Sequence, residues 1–167
     1  EIAALVETFD GGIYNENATL GENLLFGTPV GDAFQINRLA ENPYVLRILE
    51  ESGLAESLLE AGREVASLMV ELFADLPPGH AFFEQYSFIS SDDLPEFQTI
   101  ITRIGREGLG ALREDDRTKL LSLPLMVSPA RHRLDVITAE MKAQVLDGRR
   151  RFADELPEGL AGAVEFF

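Results

Sequence analysis

AESLLEAGREVASLMVELFA, residues 55–74, is the stretch whose reading decides the fold. Val65, Leu68, Met69, Leu72, Phe73 and Leu76 recur in steps that line one face of a 3.6-residue helix. The stretch therefore predicts an amphipathic helix with one buried side. It is stopped by Leu76-Pro77-Pro78-Gly79, where prolines withhold amide donors and glycine favours a turn.

Toward the N-terminus, Asn42-Pro43 is an N-cap followed by a proline at the first helical position, where no intrahelical hydrogen bond is lost. This predicts a helix to Glu51, ending near Gly53. Asp32 is placed to cap a shorter helix through Leu39. Residues 1–31 differ: Gly11, Gly12, Asn15, Gly21, Gly27 and Pro29 punctuate short apolar runs, as in loops and brief helical turns.

Toward the C-terminus, a loop or single turn through Phe88 leads to Ser90, Ser91, Asp92 and Asp93, which suit a helix start by capping and by charge. Phe97, Ile100, Ile101 and Ile104 form the apolar stripe of that helix. Glu114, Asp115 and Asp116 open a short helix expected to end before Pro124. Ser128-Pro129 repeats the cap-plus-proline signal and predicts a long last helix to about Leu156, with Leu134, Ile137, Met141, Val145 and Phe152 inward. Only short runs such as Leu123 to Val127 qualify as strands. The expected fold is mainly α, an irregular bundle of about six helices, with a loop-rich lead (1–31) joined to a helical domain (32–167) in one unit.

Composition narrows the function. The 167 residues suit one domain, and 46% hydrophobic content supplies an ordinary core. A net charge of −15 repels phosphate backbones and anionic membrane surfaces, which argues against nucleic-acid and lipid-surface binding. Cysteine is absent, so disulfides, thiolate metal sites and cysteine nucleophiles are excluded. No apolar run reaches the length of a membrane span. The start at Glu1 and the end on Phe166-Phe167 read as those of a piece of a longer protein.

Motifs for chemistry are sparse. There is no glycine-rich loop followed by Lys and Ser/Thr, and no G-x-S-x-G elbow. His80 and Glu84 have i, i+4 spacing but no third ligand in register, so a capping or surface role for His80 is favoured over a metal site. The acidic groups Glu50/Glu51, Asp92/Asp93 and Glu114–Asp116 are read mainly as helix-start charges rather than as an acid–base pair. Asn17-Ala18-Thr19 matches the glycosylation triplet, a common chance match, and is discounted. One region is basic: Arg131, Arg133, Lys142, Arg149, Arg150 and Arg151 form either a docking surface for an acidic partner or internal charge complements, the second being favoured. No catalytic, cofactor-binding or metal-ligating residue is assigned.

The stretch Tyr14-Asn15-Glu16-Asn17-Ala18-Thr19-Leu20-Gly21-Glu22-Asn23-Leu24-Leu25-Phe26-Gly27 resembles the segment that follows the Q-loop in ATP-binding subunits of ABC transporters. The matching positions are Thr19, Leu20, Glu22, Asn23, Leu24, Phe26 and Gly27. Leu76, Pro77, Gly79 and Glu84 are a fainter echo of the helical subdomain ahead of the signature sequence. The signature itself is replaced by Ile89-Ser90-Ser91-Asp92-Asp93, which has neither phosphate-approaching glycine, and there is no Walker A or Walker B sequence. The Q-loop glutamine is also missing, since the first glutamine, Gln35, follows the motif.

The resemblance implies a regulatory or coupling helical portion of an ABC-type ATPase subunit, with no nucleotide hydrolysis of its own. ATP and magnesium would belong to the parent. Thr19, Glu22, Asn23 and Phe26 would form a coupling surface toward a membrane-spanning transporter subunit, on the cytoplasmic side at the inner face of the membrane. Read from the residues alone, Thr19 and Glu22 make a capping box. The alternative function is a stand-alone acidic helical protein-interaction module, which recognises a basic partner or self-associates. An enzyme acting through paired carboxylates is a distant third.

Overall fold

The computed structural model describes residues 10–86 and 89–167. The chain is mainly helical, as its periodicity predicts. In order come α1 (Leu20–Leu25), β1 (Gly27–Pro29), a 3₁₀ segment (Ile36–Glu41), α2 (Pro43–Glu51), α3 (Leu54–Phe73), α4 (Ala81–Gln85) and α5 (Leu94–Glu107). Then follow a 3₁₀ segment (Leu109–Ala111), α6 (Glu114–Leu125), α7 (Pro129–His132), α8 (Ala139–Glu155), a 3₁₀ segment (Glu158–Ala163) and β2 (Val164–Phe166). Residues 1–9 of the expected lead, and the Ser87-Phe88 end of the expected loop, lie outside the described residues.

Helix α3 is the central element, packing against α5, α6, α2 and α8. Its Leu58, Val65, Ala66 and Met69 have no exposed surface. The Asn42 cap forms as expected, its Oδ1 accepting from the Tyr44 and Val45 amides. The side-chain amide of Asn42 also donates to Ala33 O at 2.9 Å, so the residue fastens α2 to the preceding loop. Behind α2, the rings of Phe34, Tyr44 and Phe152 meet at centroid separations of 5.1–6.3 Å. The Tyr44 hydroxyl donates to Phe152 O at 2.6 Å, joining α2 to α8.

Two helix-breaking residues are reconciled by one contact. The expectation that α6 ends before Pro124 is corrected, because the helix continues through it to Leu125. Pro124 has no N–H to give to Leu120 O. That carbonyl abuts Gly62 of α3, where a Cβ would stand 2.1 Å from the oxygen. A glycine in the middle of α3 thus permits the close α3–α6 approach, and the amides of Met126 and Val127 close the last turn onto Leu123 O and Pro124 O.

Three other expectations are corrected. Asp32 does not cap a helix; its Oδ1 accepts from Gln35 Nε2 at 3.1 Å, and the turn that follows is 3₁₀. The single helix expected after Ser128-Pro129 is divided in two, because Arg133 turns left-handed (φ 53°) after one turn. Thr138 then caps α8, its Oγ1 accepting from the Met141 amide at 3.1 Å. Leu123 to Val127 is helix end and turn, and the strands of the described residues are β1 and β2. These pair antiparallel, Gly27 opposite Phe166 and Pro29 opposite Val164. A Cβ at Gly27 would lie 2.6 Å from Glu165 O, so only glycine allows this approach.

Candidate functional site

The motif residues 14–27 form a loop, helix α1 and the start of β1, fixed against α8 and the α6–α7 connection. Thr19 is extended (φ −68°, ψ 161°) and caps α1. Its Oγ1 accepts from the Glu22 amide at 3.1 Å, while Glu22 Oε2 accepts from the Thr19 amide at 2.8 Å. The capping box read from the sequence is therefore present in full. The Leu20 amide donates to Val127 O and the Ala130 amide to Glu16 O, which sets the loop against α7. Leu20, Leu24 and Leu25 have no exposed surface, so α1 shares the core of the helical domain.

Asn23 is 2% exposed and its side chain makes four hydrogen bonds. Oδ1 accepts from the Asn15 amide (2.8 Å) and from Arg149 Nη2 (3.1 Å). Nδ2 donates to Asn15 O and Thr19 O, each at 2.9 Å. Arg149, 6% exposed, reaches out of α8 to complete the arrangement. Its Nε donates to Asn23 O at 2.8 Å, and Nη1 to Gly11 O at 2.9 Å and Ile13 O at 3.2 Å. The guanidinium lies over the Phe26 ring, 4.3 Å from its centroid.

Among the described residues, every hydrogen-bond acceptor of this buried cation is a neutral carbonyl or amide oxygen. Burial lowers the Arg149 pKa, with the nearby Tyr14 and Asp10 groups opposing the shift. A guanidinium remains charged under such conditions, so a fixed positive charge stands at the C-terminal end of α1, where helix carbonyls favour it. Phe26 closes that end in a left-handed conformation (φ 45°, ψ 51°), an uncommon and strained choice for a bulky residue. It is held there by Arg149 on one side and by an edge contact with the Phe167 ring at 5.4 Å. Burial also raises the Tyr14 pKa, and the Tyr14 hydroxyl has no hydrogen-bond partner among the described residues.

Glu22, Asn23 and Phe26 line an open cleft of about 350 Å³, together with Asn15, Asn17, Thr28 and Ile36. Glu22 is exposed, Thr19 and Phe26 are half-buried, and Asn23 forms the cleft's buried base. Three of the four sequence-identified residues thus meet at one surface feature, and Thr19 orients the helix that carries them.

The basic run is used internally, as the favoured reading expects, but the sequence does not single out Arg149 within it. The signal was its position: with Met141, Val145, Gly148 and Phe152 it falls on the inward stripe of α8. Its neighbours are used internally as well. Arg150 and Arg151 both bind Asp147 and hold that carboxyl below the usual range, and Lys142 pairs with Glu16. His80 caps α4, its Nδ1 accepting from the Phe82 amide at 3.2 Å. Among the described residues no group of three or more His, Asp or Glu side chains is placed to hold a metal ion, and no helix is long and apolar enough to cross a membrane.

Comparison with known proteins finds no matching family model, no matching curated protein and no matching solved structure.

Proposed function

We propose that this chain is a helical coupling portion of an ABC-type ATP-binding subunit and has no nucleotide hydrolysis of its own. One observation supports the reading above the rest. The stretch that resembles the post-Q-loop segment is an exposed cleft on a rigid base, with Thr19, Glu22, Asn23 and Phe26 each fixed by a specific bond or ring contact. A segment that transmits movement must keep its contact face while the body moves, and the Asn23–Arg149 bonds tie that face to α8. On this reading the partner at the cleft is a membrane-spanning transporter subunit. ATP and magnesium are then held elsewhere in the parent subunit, at the cytoplasmic face of the membrane.

The deciding experiment is to sequence the parent reading frame on both sides of this window. A Walker A sequence upstream, with a signature sequence and a Walker B strand downstream, is the expected result. The absence of a P-loop upstream overturns the proposal. A thermal melt of the isolated chain with Mg-ATP supplies a second check: no rise in Tm is expected, because a ligand that prefers the native state raises it.

A further inference from the structure

The end of α3, all of α4 and the start of α5 form a lobe with a surface of its own. Phe73, buried at the end of α3, meets the rings of Phe83 at 4.7 Å and Tyr86 at 5.9 Å, which folds α4 back against α3. Leu72 and Phe82, their chain neighbours, are 49% and 47% exposed. In the same segment Leu68, Val70, Leu76, Phe83 and Tyr86 are only partly buried, packed against the core. Leu72 belongs by spacing to the apolar stripe of α3, yet the fold leaves it open to water.

The charge of this lobe is one-sided. Between Arg63 and Arg103 the chain has neither Lys nor Arg. Glu71, Asp75, Glu84 and Asp92 are exposed there, and none has an ion-pair partner among the described residues. The nearest cations by sequence lie at its edges: Lys119 pairs with Glu96, and the contact of Tyr86 with His132 at 6.1 Å brings Arg131 and Arg133 to the other border.

We propose that this lobe docks a basic amphipathic helix, whose apolar stripe covers Leu72 and Phe82 and whose Lys or Arg side chains meet Glu71, Asp75 and Glu84. Charge selects the occupant. A second copy of this chain would set one acidic lobe against a body of net charge −15, and an anionic membrane would be repelled likewise. Among its described residues the lobe offers no strand edge, so a helix laid on exposed apolar side chains is the mode its surface supports. The inference does not depend on the coupling reading, which concerns the cleft at α1.

The test is fluorescence or calorimetric titration of the chain with a synthetic Leu/Lys peptide in amphipathic helical order. A peptide of the same composition in scrambled order serves as control. Leu72→Ser with Phe82→Ser is expected to weaken binding by roughly tenfold or more, as removal of central apolar anchors does. E71Q/D75N/E84Q is expected to flatten the salt dependence of binding, and E50Q/E140Q/E158Q, exposed acids on other elements, to leave it within about twofold. Equal binding of the scrambled peptide, or equal effects of the two charge triples, overturns the proposal in favour of unspecific attraction. Unchanged binding by the folded Leu72/Phe82 variant also overturns it, and if that variant does not fold, the charge triples decide alone.

Discussion

The α1–α8 junction and the α3–α4 lobe are held by opposite means. At the junction, Arg149 and Asn23 are buried and bonded to each other and to the carbonyls of the loop, which admits one arrangement. In the lobe, rings pack on rings around Phe73 while carboxylates stand unpaired in water. Directional bonds penalise any shift of geometry, because each lost bond leaves a desolvated group behind. Apolar contacts tolerate a small repacking at low cost. The molecule therefore pairs a surface of fixed shape with one able to adjust to what covers it.

Variants sharpen the contrast. Arg149→Met keeps the aliphatic bulk and removes every donor, which orphans the carbonyls of Gly11, Ile13 and Asn23 and uncovers Phe26. A loss of about 3 kcal/mol or more is expected, read from the urea midpoint at unchanged m-value. A loss below about 0.5 kcal/mol would mean that the junction is no more demanding than the surface. Thr19→Ala removes the capping box and should cost about 1 kcal/mol, with Thr19→Ser recovering most of it.

His132 sits between the two regions. Its Nδ1 accepts from the Ser128 amide at 2.9 Å and its ring faces Tyr86. Burial, and after it Arg131, lowers its pKa from the ordinary 6.5, so the folded state favours the neutral ring. The unfolded chain then binds the proton more readily. The stabilisation is complete above pH 6.5 and declines as pH falls from there through the lowered folded value. His132→Gln should flatten this part of the stability–pH curve, and an identical slope in the variant would assign it to other groups.

Much of the fold was legible where a local signal coincided with a packing need. Val65, Met69 and Phe73 of the α3 stripe and the Asn42-Pro43 cap are such places, whereas Leu72 of the same stripe is exposed. The sequence misleads where a distant contact decides. Pro124 stands in the last turn of α6, and Gly62, far away in the chain, makes room for the Leu120 carbonyl to which the proline can give no N–H. Ser128-Pro129 does start a helix, but Leu134 and Ile137 turn inward to the core and a second start at Thr138 is needed. At the cleft, Thr19 and Glu22 were readable as a box and Asn23 as part of a motif. Its partner Arg149 was not, because three consecutive arginines look alike until the helix phase of α8 is applied.

The span of the Arg149 bonds has a bearing on how the chain folds. They join residues up to 138 positions apart, and β1 meets β2 across a similar distance. Closing a loop of that size costs about 4 kcal/mol in chain entropy, while α3 draws on local contacts that form early. The α1–α8 junction is accordingly among the last parts to assemble. Arg149→Met should then accelerate unfolding and leave the refolding rate nearly unchanged, so stopped-flow traces would show a junction that guards the native state without helping to nucleate it.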